Sequence, residues 1–282
     1  MRVEWIDRDA EAFRTLHAHV FLDADDVDTH VGAAYERLAR ILKCDAEAAR
    51  ERAQVMLTDS EIERFMAESV MARVADDLDA DLDVPTMYAP ACERRDPCRE
   101  GEPFSFAVKY LLVPAMELDF ERPIVLAEGD DEDARIDAAL SARIHGEIPQ
   151  AHLKLQIDAV RTEFRAELKR RGVTSKEYRM QRRLKPQELV DELHDRACER
   201  VKRDTALELA FKASESEPDA LEGRMNGLLV AQAKGTSQSE DLRRDMKDAG
   251  RLCLLRQQAR RDIGLDWIKR SVVMKEGAAQ PE

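Results

Sequence analysis

Two stretches of the chain alternate as strands do, and most of the rest repeats at helical spacing. Thr15 to Leu22 (TLHAHVFL) alternates apolar and polar side chains, which predicts a half-buried strand. Asp25 and Asp26 then open a helical pattern through Val27, Val31, Leu38 and Leu42. Thr58 and Glu61 have the spacing of a capping box, followed by Ile62, Phe65, Met66, Val70, Val74 and Leu78, which predicts a second amphipathic helix. Val84 to Gly101 carries Pro85, Pro90 and Pro97 and reads as loop. From Phe104 the chain alternates again and turns apolar toward Val113, as a strand does where both faces become covered.

Beyond this point no strand is evident and helical signals follow one another. Pro149 stands before a stripe of Leu153, Ile157, Val160, Phe164 and Leu168, with Gly172 placed to end it. Thr174 and Glu177 form another capping box. Pro186 starts a helix through Leu189, Leu193, Ala197, Val201 and Leu209, and Pro218 one through Leu221, Met225, Leu228 and Leu229, closed by Gly235. The last pattern runs through Leu252, Leu255, Ala259, Ile263 and Trp267. The expected fold is predominantly helical: an α+β N-terminal domain with a small antiparallel sheet and two helices, then an all-α C-terminal domain with helical arms.

Charge sharpens the division. The 282 residues hold 45 Lys and Arg against 58 Asp and Glu, a net charge of -13. Residues 1–124 contain 28 acids and 15 bases, whereas 125–282 contain 30 of each. All of the net charge therefore sits in the first part, which predicts domains over 1–124 and 125–282. A nucleic-acid binder acting through overall charge is not expected, nor any direct nucleic-acid specificity. The charged N-terminus lacks a signal-peptide core, and the longest apolar stretch, Tyr110 to Met116, is far below the about 20 residues that cross a bilayer. Five scattered cysteines fit reduced thiols, so a cytoplasmic location without membrane partners is expected.

Candidate chemistry is sparse. His17 and His19 share a strand face, but no third or fourth metal ligand follows at a recognisable spacing. Cys92 and Cys98 make one pair in the proline-containing loop, short of a zinc module. The acidic run from Glu128 to Asp133 lacks the ligand pattern of a calcium loop and suits a helix N-terminus. Lys169 to Arg171 and Arg182 to Lys185 form a local basic region that reads as a solvated face, an anionic-partner patch being the minority reading. No phosphate loop, dinucleotide fingerprint, nucleophile elbow or metalloprotease motif is found, so neither enzymatic activity nor a cofactor is expected.

Several stretches resemble the trigger factor family of bacterial ribosome-associated chaperones. They are the strand and helix of Thr15 to Leu42, the segment Pro103 to Leu118, the Ile148-Pro149-Gln150 entry to a long helix, and the closing helices with Asp248, Ala249, Gly250, Leu254 to Arg256 and Leu265 to Ile268. The chain departs from that family twice. Its Gly-Phe-Arg-x-Gly-Lys-x-Pro ribosome-docking loop is replaced by Lys43 to Arg52, and the stretch between Glu121 and Pro149 is too short for the family's prolyl isomerase domain.

The resemblance implies an ATP-independent chaperone that holds unfolded or nascent polypeptides in an apolar crevice between helical arms. Candidate client-binding residues are Leu153, Ile157, Val160, Phe164, Met180, Leu193, Met225, Leu229 and Met246, and Lys43, Arg50 and Arg52 are the candidate ribosome or partner contacts. Ribosome association is expected to be weak or absent, and the sequence allows a homodimer. The alternative reading is a protein-interaction adaptor of chaperone descent that recognises one specific partner.

Overall fold

In the computed structural model, which describes residues 1–6, 14–120, 124–126, 132–233 and 236–274, the two alternating stretches form the centre of a sheet. Strand β2 (Thr15–Leu22) lies antiparallel to β4 (Phe104–Leu111), and β1 (Arg2–Ile6) and β3 (Ala91–Arg94) add the edges in the order β1-β2-β4-β3. Strand β3 falls in the stretch read from sequence as loop. It is four residues long and mostly exposed, so it has no buried face to impose alternation. One face of the sheet carries Ala18, Val20, Leu22, Phe104, Phe106, Val108 and Tyr110, all buried. Against it pack α1 (Ala24–Leu42) through Val27, Val31 and Tyr35, and α3 (Asp59–Ala80) through Val70, Val74 and Leu78. The Thr58–Glu61 capping box is formed, and the buried Tyr110 hydroxyl donates to the Ala75 carbonyl at 2.8 Å.

The contacts divide the chain into two compact units, Met1–Val113 with Glu217–Arg260, and Pro114–Ser216 with Arg261–Glu282. Helices α8 (Pro218–Ala233), α9 (Thr236–Asp248) and the start of α10 (Leu252–Ser271) thus belong with the sheet, although they follow the long helical stretch in sequence. Polar side chains on α3 hold them there. Asp76 and Asp79 are 3% and 7% exposed, an arrangement that burial alone would make costly. Asp76 accepts the backbone N–H groups of Leu252, at 3.1 Å, and Cys253, so it caps the N-terminus of α10. Asp79 accepts from the Thr86 hydroxyl and pairs with Arg256 at 2.6 Å, and Arg260 donates to the Thr86 carbonyl at 2.6 Å. At the end of α9, Asp248 receives both Arg40 and Arg73. Burial pushes the Asp76 carboxyl above its ordinary range despite these bonds.

The second unit is built on α4 (Glu132–Arg143), α7 (Pro186–Ala213) and the end of α10. Ile136, Leu140, Ala206, Leu207, Ala210 and Ile268 form its core with Met116 and Ile144. Two small ladders, β5 (Glu117–Leu118) with β7 (Ile144–His145) and β6 (Ile124–Leu126) with β8 (Val272–Met274), tie the segment ends together. Gly264 lets α10 pass against the backbone of α7, since a Cβ there would overlap the Leu207 carbonyl. Helix α4 begins at Glu132 and carries Glu132 and Asp133 in its first turn, where the helix dipole favours them. The rest of the acidic run lies outside the described residues.

Two predictions follow from the first unit. Gly250 has φ +61°, and a Cβ there would overlap the Ala72 carbonyl of α3. Gly250→Ala should cost roughly 2–4 kcal/mol of stability, read by urea denaturation, since it adds both left-handed strain and a backbone clash. Burial raises the Cys92 thiol to about 12 and the Cys98 thiol to about 11, and it raises Cys253 as well. In the native protein near pH 8 these three should resist a thiol reagent that modifies the half-exposed Cys44, and all five cysteines should react in denaturant.

Candidate functional site

Helices α5 (Gln150–Arg171) and α7 form a hairpin arm joined by the short helix α6 (Ser175–Arg182). Gly172, in the left-handed conformation, ends α5 by donating its N–H to the carbonyls of Leu168 and Lys169. The Thr174–Glu177 capping box starts α6, and Arg183 ends it, also left-handed. Pro186 at the first turn of α7 then sends the chain back, with the Glu188 side chain accepting from the Lys185 N–H at 2.7 Å. The arm is zipped by buried Val160, Leu189, Leu193 and Ala197, with Leu153, Ile157, Phe164 and Tyr178 half-buried beside them. Outside this seam Arg200 grips Glu163 through both carboxylate oxygens at 2.7 Å, and that pairing lowers the Glu163 carboxyl.

The sequence candidates therefore separate into groups. Leu153, Ile157, Val160, Phe164 and Leu193 come together along this seam. Val160 and Leu193 face inward, so they hold the arm together and present no surface. Met180, on α6, is 68% exposed. Met225, Leu229 and Met246 lie in the first unit, where Met225 and Leu229, 2% and 1% exposed, pack with Leu255 and Ala259 between α8, α9 and α10, and Met246 lies half-buried at their edge. The sequence offers Met225 and Leu229 as client contacts, yet both are covered. Their burial follows from the packing of α8, α9 and the start of α10 on one another, and a stripe on one helix does not name the helices that cover it.

Lys43, Arg50 and Arg52 surround a tight turn. Lys43 closes α1 in the left-handed conformation, and Asp45 caps α2 (Ala46–Met56) by accepting the Ala48 N–H at 2.8 Å. Lys43 and Arg52 are exposed, but Arg50 lies 4.5 Å over the Tyr35 ring and pairs with Glu100 at 2.7 Å. Sequence reasoning missed the apolar run Val55, Met56 and Leu57 at the end of α2, exposed to 86%, 76% and 38%. Its three consecutive large side chains are the signal that could have found it.

His17 and His19 lie on the sheet face away from the core, and His19 meets Arg95 at 2.9 Å through Nε2. Among the described residues no three His, Cys, Asp or Glu side chains gather as metal ligands, and no helix is long and apolar enough to cross a membrane.

Comparison with known proteins places this arm. Residues 131–269 match the family described as the bacterial trigger factor protein (TF) C-terminus. A solved structure of the trigger factor chaperone, described for promiscuous substrate recognition in folding and assembly activities, aligns with 95% of this chain and 100% of its own at 10% identity and a TM-score of 0.42. No curated protein matches the chain at a comparable level. The segment from 131 to 269, which includes the α5–α7 arm, is thus similar to the trigger factor C-terminus, and this match supports a relationship of the chain to the trigger factor family.

Proposed function

We propose that the protein is an ATP-independent holding chaperone of the cytoplasm, and that unfolded or nascent polypeptides dock on its helical arms. The observation that carries this reading is the match of residues 131–269 to the trigger factor C-terminus, in which the α5–α7 hairpin projects apolar side chains that its own seam does not fully cover. Holding requires apolar surface ringed by charge, so that the holder stays in solution while it shields its client. Exposed Met180 and half-buried Leu153, Ile157 and Phe164 have that character. The buried Val160, Leu193, Met225 and Leu229 keep the helices in place for the task. Binding of this kind consumes no nucleotide and breaks no bond, and the absence of room for an isomerase domain between Glu121 and Pro149 supports a protein without prolyl isomerase activity.

Weak ribosome association belongs to the same proposal. Docking on RNA draws on cations that displace counterions from phosphates. Of the three candidates Arg50 is already committed to Glu100 and Tyr35, and the surrounding residues 1–124 carry the chain's whole net charge of -13.

The full-length protein without nucleotide should slow aggregation of several unrelated denatured proteins, followed by light scattering. Met180→Gln should weaken client binding by roughly three- to tenfold through lost apolar area while leaving the helical circular dichroism unchanged. Capture of one folded partner with no effect on unfolded clients would favour the adaptor reading instead. In co-sedimentation, little protein should travel with ribosomes at about 150 mM salt, and stoichiometric binding lost on replacing Lys43 and Arg52 would refute that part.

A further inference from the structure

The end of the α5–α7 arm reverses the charge of the protein. Residues 161–187 hold ten Lys and Arg against three Glu, in a chain whose net charge is -13. Most of these cations have no anion to meet. Glu167 takes Arg170 and Arg171, and Glu192 takes Arg182 at 2.7 Å. Arg161, Arg165, Lys169, Lys176, Arg183 and Lys185 are exposed, and Arg179 is half-buried; none of the seven forms an ion pair among the described residues.

Their spacing is costly to the fold. Arg161, Arg165 and Lys169 recur every four residues along one face of α5, and like charges at that spacing destabilise a helix. Only the last-turn position of Lys169 is offset by the helix dipole, which acts within the final turn. One Glu in place of Arg165 would turn both repulsions into attractions, and the chain has acids in excess elsewhere.

The arm tip also has an apolar face, beside the stripe. Phe164, Leu168 and Tyr178 line a cleft of about 420 Å³ together with Arg170, Arg171 and Arg196 and with Glu163 and Glu167, whose carboxylates are taken up by Arg200 and by Arg170 and Arg171, and exposed Met180 sits on the adjoining helix α6. We infer that the arm tip is a docking site for acidic, unfolded polypeptide segments, with carboxylates meeting the stripe of Arg161, Arg165 and Lys169 and apolar side chains meeting the Phe164–Tyr178 cleft and Met180. This rests on the client-holding reading and adds the class of client. Charge complementarity selects an acidic partner, and the aromatic geometry selects polypeptide over single-stranded nucleic acid. Tyr178 meets Phe164 edge-on at 5.1 Å, has Arg182 5.6 Å from its ring centre, and accepts a hydrogen bond from Arg182, so it is not a free platform for a base.

The test uses the full-length protein and two fluorescein-labelled disordered peptides with the same Leu and Phe residues, one rich in Asp and Glu and the other in Lys. By anisotropy at about 50 mM salt the acidic peptide should bind at least about tenfold more tightly, and added salt should narrow the difference. The triple variant R161E/R165E/K169E should lose at least about tenfold in acidic-peptide affinity. R161Q/R165Q/K169Q, which keeps good helix formers, should lose an intermediate amount and decides the matter if the Glu variant does not fold.

Equal binding of the two peptides, or acidic-peptide affinity unchanged in a folded triple variant, would overturn the inference. So would tighter binding of a short single-stranded RNA, lost in the same variant, which would make the patch a nucleic-acid site. Light scattering separates this failure from that of the chaperone reading. Clients of every charge held equally by wild type and variant would remove the acidic preference alone, whereas a wild-type protein that holds no client would remove both.

Discussion

Two carboxylates inside α3 constrain the first unit more than any other feature. Asp76 and Asp79 are carried inward on a helix whose remaining inward positions are apolar, and neither can stay buried without donors. Apart from the nearby Thr86 hydroxyl on Asp79, the donors come from far along the chain: the first backbone N–H groups of α10 for Asp76, Arg256 for Asp79. Apolar contact could hold α8, α9 and the start of α10 in many registers. A carboxylate that caps a helix terminus and another that meets one guanidinium admit very few, so these polar bonds supply the address, while Met225, Leu229 and Leu255 bury one another among α8, α9 and α10.

The second unit solves the comparable problem with local signals. In the α5–α7 arm each reversal is announced within a few residues, by Gly172, by the Thr174–Glu177 box and by Pro186, and the seam between the helices is a plain apolar stripe. An element whose boundaries are fixed by its own sequence tolerates variation on its outer faces, because little there is needed to specify the fold. That freedom is what allows an unbalanced row of cations on α5.

The same contrast explains what could be read from the sequence. Strand β2, the core of β4, both capping boxes and the proline-started helices were legible because each is written as a period or a cap. Strands β1 and β3 were not, since edge strands with exposed side chains have no pattern to show, and α9, with only Leu242 and Met246 half-buried along its seam, was equally quiet. The arm of the candidate site was legible down to its stripe. Which of the candidate apolar residues are covered was not, because a stripe does not name its partner: Met225 and Leu229 are covered by Leu255 and Ala259 of α10.

The discontinuous first unit also sets an order of events during synthesis. Met1–Val113 emerges with its sheet and with α3, yet Glu217–Arg260, which completes that unit, is made only after the whole intervening segment. At about 5–20 residues per second, the delay from Val113 to Arg260 is on the order of 10–30 s. Throughout that interval Asp76 lacks the N–H groups that it caps and Asp79 lacks Arg256, and the arm helices α5 to α7 are finished before the unit that begins ahead of them in the chain. A nascent copy of this protein is thus itself an incompletely covered polypeptide for longer than most small domains, and its last helix acts as the latch that ends its own exposure.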